Sequence, residues 1–291
     1  MSAYFRQMDL EQDRGQLEGS TRLGYERQLR RTLPIIGEAS VASIEEQHIR
    51  YVLDEITTTA PSYNNMLKAL RRLFKFARAK GHLIPRNPTD DIEKLEHQTS
   101  GFREWTTAEV RQFLAAHPVG SMAHLTMCLL VFTSARRGDV VRLGHANVVE
   151  YQGSEFIEFI QGKIRKKETL PVYAPMNPYL RHALDNTGTG ERTFLANEHG
   201  DPFSPKAFGA RFKKWVVAAG LPAGLTMHGV RKMTGNELAE EDCSQYQIMA
   251  THGHSSPKVS EIYTRKVHRR KLAEQSSRKA NWDEKLGLPD V

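Results

Sequence analysis

A break in the helical pattern between residues 81 and 105 constrains this chain most, because it divides one sequence into two units that must each bury a core. Before it, apolar residues recur at helical spacing from about Ser20 to Leu33, Ser43 to Ile56 and Ser62 to Lys80. Gly81 closes the third segment as a C-terminal cap, Pro85 and Pro88 interrupt the pattern beyond it, and the polar stretch from Glu96 to Arg103 reads as a linker. A fresh helix start comes at Thr106, spaced with Glu109 as a capping box ahead of Val110, Phe113 and Leu114. We therefore expect a helical domain over 1–97, a linker over 98–104 and a second domain over 105–291. A chain of 291 residues can hold both, since domains commonly run about 100 to 200 residues.

The third helix of the first domain carries two faces. Met66, Leu67, Leu70, Leu73, Phe74 and Ala77 share one, while Lys68, Arg71, Arg72, Lys75 and Arg78 mostly occupy the other. A basic face is either a solvated surface or a strip for a phosphate backbone, where each neutralised phosphate releases counterions. The formal net charge of +7 favours a polyanionic partner. The chain has no run of about 18 apolar residues, as a spanning helix would need, and its first residues lack the charged-then-apolar pattern of a secretory signal. A cytoplasmic protein with no membrane partner is the expectation.

In the second domain, HLTMCLLVF within Met122 to Thr133 reads as a core helix. The segment NVVEYQGSEFIEFIQGKIRKKETLPV reads as a small antiparallel sheet, punctuated by Gly153 and by a polar turn around Arg165. Helical pattern returns from about Pro205 through Phe208, Phe212, Trp215 and Val216. The fold class is therefore mainly α with a small antiparallel β-sheet. Cys128 and Cys243 both fall in segments that read as apolar helices, and two cysteines make neither a disulfide framework nor a thiolate zinc site. His228, His252, His254 and Cys243 have no closed ligand spacing either, so no metal or other cofactor is expected.

Chemistry concentrates in four segments: TSARRGDVVRL, QGKIRKKETLPV, MHGVR and GHSSPKVSEIYTR. In this order they resemble the catalytic boxes of the tyrosine recombinase family, the phage-integrase type. The tyrosine stands nine residues after the last histidine. The first portion resembles that family's SAM-like core-binding domain by general pattern. The resemblance implies a two-domain recombinase closing as a C-shaped clamp on duplex DNA.

It also implies a role for each residue. Arg136 and Arg231 would clamp the non-bridging oxygens of a phosphate, a task suited to the fixed fork of a guanidinium. Arg137 competes with Arg136 for the first place, but one residue along a helix turns it about 100° away. Asp139 would orient the basic groups; its alternative is a helix N-cap. Lys163 would protonate the leaving 5′ oxygen, and Arg165, Lys166 and Lys167 would be soluble or touch backbone phosphates. His228 and Arg231, three apart, should share one side of a helix. His228 would assist proton movement or hold the phosphate, and His254 would donate a hydrogen bond to it. Tyr263 is the nucleophile implied, its phenol (ordinary pKa about 10) needing a positive surround; Tyr246 is a weaker candidate. Ser134, where many relatives have glycine, Asp139, where glutamate is commoner, and His252, where an apolar residue is usual, depart from the pattern.

The expected activity is site-specific recombination through a 3′-phosphotyrosyl bond, for integration, excision or resolution of DNA. A type IB topoisomerase and a non-catalytic DNA-binding protein on the same fold are the alternatives. The expected partners are double-stranded DNA and three further copies of the chain on paired sites, from a monomer in free solution. The tail from about His268 would reach a neighbour in the ring. An accessory DNA-bending protein is a further candidate. Only about 15 residues precede the first expected helix, so an arm-binding domain is not expected.

Overall fold

The computed structural model describes residues 1–81, 86–98, 101–162 and 170–287, leaving aside the side chains of residues 266 and 268. The chain divides into two compact units, Met1–Thr99 and Ser100–Val291. Helices make up most of both, and one three-stranded antiparallel sheet, in the second unit, completes the mainly α architecture.

The first unit holds α1 (Ser2–Asp13), α2 (Gly19–Arg30), α3 (Leu33–Ile36), α4 (Glu46–Ile56) and α5 (Ala60–Ala79). Helix α5 starts where the Thr59 hydroxyl accepts the Ser62 N–H, an N-cap that satisfies one of the orphan donors of the first turn. Its face of Met66, Leu67, Leu70, Leu73, Phe74 and Ala77 is buried, and α1, α2 and α4 close over it. At about 1.5–3 kcal/mol for each fully buried large apolar side chain, this stripe is the unit's main source of cohesion. Helix α1 goes beyond the expected elements: the chain is helical from Ser2, not only from near residue 20. Its buried apolar stripe is just Tyr4 and Met8, too short to show as periodicity.

The basic face of α5 is only partly a free surface. Arg72 is half-buried, paired with Glu11 of α1 and placed 5.4 Å from the Tyr25 ring centre. Arg71 donates to the carbonyls of Thr89 and Ile92 and so ties down the segment after α5. Lys68, Lys75 and Arg78 are exposed. Arg71 and Arg72 are thus engaged inside the unit by hydrogen bonds, because a guanidinium reaches both carboxylate and carbonyl acceptors that the packing brings close, and the exposed Lys68 has its Nζ 5.8 Å from the Tyr25 ring centre.

The second unit opens with α6 (Thr107–Ala116), started by the capping box between Thr106 and Glu109. The buried α7 (Met122–Thr133) and the short α8 (Arg137–Val140) follow. Strands β1 (Val148–Tyr151), β2 (Ser154–Phe159) and β3 (Val172–Pro175) pair in order, with Val148 opposite Ile157 and Ile157 opposite Ala174. Then come α9 (Pro178–Asp185), α10 (Pro205–Ala218), α11 (Met227–Glu240), α12 (Gln245–His252), α13 (Pro257–Ala280) and α14 (Trp282–Leu286). The core gathers on α7, with Trp105, Phe113, Phe208 and Phe212 around it. Trp105 is buried and donates from its indole to the Thr226 carbonyl at 2.9 Å, which pins the start of α11. Cys128 is a buried thiol of α7, whereas Cys243 lies in the turn between α11 and α12 and is half-buried, outside the helix expected for it. No helix among the described residues is long and apolar enough to cross a membrane.

Candidate active site

Two helix ends meet behind the site. Helix α7 stops at Ser134, whose φ of 49° is left-handed, and the chain then turns into α8 with Arg136 as its extended N-cap. This turn delivers Arg136 to the site and leaves Arg137 exposed on α8, its guanidinium beside Gly209. Asp139 is not the N-cap but the third residue of α8, buried, with Oδ1 accepting from Arg142 at 2.5 Å and from the Gly162 N–H at 2.9 Å. It thereby fixes the residue that precedes the expected lysine turn. Lys163, Arg165, Lys166 and Lys167 themselves lie outside the described residues.

The second arginine comes from α11, whose N-cap Thr226 accepts the Gly229 N–H at 3.2 Å. Arg231 is buried, and its two terminal nitrogens donate to the carbonyls of Ser134 and His252. His228, one turn earlier, packs 4.6 Å from the Phe102 ring and lines with Arg136 a cavity of about 310 Å³. Helix α12 ends at Gly253, where φ of 56° and contact with Gln161 and Val172 leave no room for a side chain. The His254 N–H turns back to the Met249 carbonyl at 3.0 Å, a helix-end closure that swings the imidazole off α12. Its Nδ1 meets the hydroxyl of Ser260 at 2.8 Å.

Tyr263 rides on α13, only 8% exposed, with its ring flat against Gly235 of α11. The His254 ring lies parallel to it with centres 6.1 Å apart, and the His252 ring is 5.3 Å from both. The structure thus gathers Arg136, Arg231, His254 and Tyr263 into one cluster, while His228 and Arg136 line the cavity. The proposed α5 contacts belong to the first unit, and Tyr246 is exposed on α12.

Electrostatics bind this group together. Burial raises the Tyr263 phenol above its ordinary value of 10, Arg231 and Arg136 pull it back down, and Glu104 opposes them. The phenol therefore rests protonated. Burial lowers the Arg136 guanidinium, against Asp139 and the phenol. Arg231 is brought to about 10 by burial and by the charge of Arg136. His254 falls to about 4 through burial and both arginines, so it is neutral at physiological pH. One Arg136 nitrogen, Nη1, is buried without a hydrogen-bond partner among the described residues. Two guanidinium groups, one close enough to lower the other's affinity for the proton and itself with an unmet buried donor among the described residues, are what an anion site needs. Among the described residues no three His, Cys, Asp or Glu side chains are placed to hold a metal.

Sequence reasoning did not anticipate four contributors. Glu104 pairs with Lys232 at 3.9 Å and acts on the phenol through its charge. Ser260 sits on the His254 ring, Gly235 seats the tyrosine and Thr234 bridges Ser134 to His252. Only Ser260 lies inside one of the four boxes, where a serine one turn from the nucleophile carries no distinguishing pattern.

In the second unit two guanidinium groups, a neutral imidazole and a buried tyrosine thus act on one another as a single cationic cluster. The chain belongs to the phage integrase family: that family's model matches residues 103–270, and the phage integrase N-terminal SAM-like domain matches residues 4–81. It is 27% identical to tyrosine recombinase XerC 2 of Ralstonia nicotianae over 71% of this chain and 61% of that protein. It is 24% identical to tyrosine recombinase XerD of Chlorobaculum tepidum, over 84% and 86%. Its fold is similar to lambda integrase solved as a dimer bound to a COC′ core site, with a TM-score of 0.71 and 20% identity over 89% of this chain and 96% of that one. Lambda integrase solved as a tetramer bound to a Holliday junction gives 0.69 and 20%, over 85% and 72%. The chain spans less than two thirds of the length of the first of these relatives.

Proposed function

We propose that this protein is a site-specific DNA recombinase that cleaves and rejoins duplex DNA through Tyr263. The carrying observation is the phenol held beside two guanidinium groups, one of which has a buried nitrogen with no partner among the described residues. The phenolic oxygen attacks the scissile phosphorus, an O–P bond forms, and the bond from phosphorus to the 5′ oxygen breaks. A 3′-phosphotyrosyl link and a free 5′ hydroxyl result. A second strand's 5′ hydroxyl then reverses the step, so the energy of the phosphodiester is conserved and no ATP is needed.

Arg136 and Arg231 stabilise the charge on the non-bridging oxygens as it develops in the transition state. His254, neutral, gives a hydrogen bond: when Ser260 donates to Nδ1, the ring's proton sits on Nε2, free for a phosphate oxygen. His228 assists proton movement at the phenol or holds the phosphate, and Lys163 protonates the leaving 5′ oxygen. Since the bare phenol rests above its ordinary pKa, the entering phosphate and these groups must remove its proton in the reaction itself. Lys68, Lys75 and Arg78 contact the DNA backbone. Two protomers act on each of two duplexes, a tetramer assembled on DNA from monomers, with the tail from about His268 reaching a neighbour.

The test is a pool of nicked duplexes with a randomised centre, from which SDS-stable protein–DNA adducts are selected. The wild-type chain enriches a defined site and Tyr263→Phe yields no adduct. DNA binding without adduct would select a non-catalytic binder. Relaxation of supercoils with no exchange between paired sites would select a topoisomerase.

A further inference from the structure

Arg231 is held by two carbonyls that the sequence places far apart, and the residues supplying them are also joined through their side chains. Its Nη1 donates to the Ser134 carbonyl and its Nη2 to the His252 carbonyl. The Ser134 hydroxyl lies 2.9 Å from the Thr234 hydroxyl, and that hydroxyl is 3.4 Å from His252 Nε2. Thr234 Oγ1 and His252 Nε2 each also reach the Arg231 carbonyl, at 3.0 Å. A carbonyl only accepts, so His252 carries a proton on Nε2, and burial keeps the imidazole neutral. All four side chains are buried.

We propose that Ser134, Thr234 and His252 form a positioning network that fixes the Arg231 guanidinium in the orientation needed to clamp the scissile phosphate. The proposal rests on the recombinase reading.

The network accounts for two departures from the family pattern together. A serine at residue 134 must hold a left-handed φ of 49° that glycine would adopt freely. Its hydroxyl, which glycine lacks, anchors the residue to α11 while its carbonyl faces Arg231. At residue 252 an apolar side chain would remove the hydrogen bond to the Arg231 carbonyl and the contact with the Thr234 hydroxyl, leaving that carbonyl to Thr234 and that hydroxyl to Ser134 and the carbonyl. The imidazole supplies both, and the His252 carbonyl, shared with the Gln161 amide, receives the guanidinium. Thr234 is the hinge of the arrangement: one turn after Arg231 on α11, it is the only one of the three that touches both other members. Two of the guanidinium's five N–H donors are thereby spent on aiming it. The remainder are directed by rigid partners rather than by packing alone.

A packing role and a positioning role separate at the Thr234 hydroxyl. Thr234→Val keeps the shape and removes the hydrogen bonds; Thr234→Ser restores the hydroxyl and removes a methyl. The measurement is single-turnover adduct formation on a nicked duplex recovered from the randomised pool, with DNA affinity measured alongside. We expect Thr234→Val to form adduct at least about tenfold more slowly at saturating DNA while its affinity changes by less than about threefold, and Thr234→Ser to recover most of the rate. If Thr234→Val fails to fold, Ser134→Ala, which removes only the outer hydroxyl at the same backbone conformation, carries the comparison against the wild-type chain. Wild-type rates in the hydroxyl-free variants, or an equal loss in the hydroxyl-bearing one, overturn the proposal. No adduct from the wild-type chain would instead sink the recombinase reading beneath it.

Discussion

Replacing Gly235 by alanine tests whether Tyr263 reacts from the seat in which it lies. A Cβ at residue 235 would stand 2.7 Å from Tyr263 Cε1, 2.8 Å from Cδ1 and 2.9 Å from Cζ. Ordinary carbon contacts are about 3.5–4.0 Å, so the ring must retreat by roughly 1 Å. The α11 backbone carries the new methyl and cannot yield, and the rings of His252 and His254 stand close to Tyr263 at 5.3 and 6.1 Å between centres. Overpacking of this kind costs about 1–3 kcal/mol, while alanine gains about 0.5–1 kcal/mol over glycine within a helix. The net loss of stability should therefore stay within about 2.5 kcal/mol. A displacement of about 1 Å at the reacting atom, however, costs on the order of 100-fold in rate. Single-turnover adduct formation and thermal unfolding of Gly235→Ala read the two effects separately. A rate close to wild type would refute the reasoning, because it would mean that the tyrosine leaves this seat before it attacks.

The same geometry sets other outcomes. Arg136→Ala should lower the adduct rate by about 10²–10³-fold, as loss of one transition-state donor does. Its melting temperature should be unchanged or higher, since a buried nitrogen with no partner among the described residues and a repulsion on Arg231 both disappear; a drop of several degrees would contradict this. In the first unit, Lys75→Ala and Arg78→Ala should each reduce the salt dependence of duplex binding by about 0.9 in the log–log slope. Arg72→Ala should instead lower the melting temperature, because it breaks the pairing with Glu11; anisotropy across a salt series and calorimetry check both. Burial holds folded His252 near pH 3, against 6.5 in the unfolded chain. The unfolded chain therefore binds more protons between these values, and this contribution to stability is complete above about pH 6.5 and lost as pH falls towards 3. Melting curves from pH 7 to 4 should fall less steeply for His252→Leu than for wild type, and parallel curves would contradict a neutral buried imidazole.

What is legible in the sequence is what local pattern can carry. Helix α5 announces itself through six apolar residues on one face, α7 through an unbroken apolar run and α6 through its capping box, because each signal lies within a few residues. Helix α1 escapes such reading, since Tyr4 and Met8 alone make no period. Cys243 reads as helical because its neighbours are helical, but the turn between α11 and α12 falls there. In the site, the identities of Arg136, Arg231, His254 and Tyr263 can be carried by resemblance, whereas their support cannot. The pairing of Ser134 with Thr234 joins residues 100 apart, and Arg231 reaches the Ser134 carbonyl across 97. No spacing rule links positions that meet only when the two helix ends are packed together. The same holds for Arg72, whose partner Glu11 lies 61 residues away on a helix that local pattern does not reveal.

The central claim is that the phenolic oxygen of Tyr263 is the atom that becomes bonded to DNA. Proteolysis of the SDS-stable adduct, followed by mass mapping of the nucleotide-bearing peptide, reads this directly. The modification is expected on the peptide containing Tyr263, at the tyrosine oxygen, with a 5′ hydroxyl on the released strand. A modification on any other residue, Tyr246 included, or a 5′-phosphate link in place of a 3′ one, would contradict that claim.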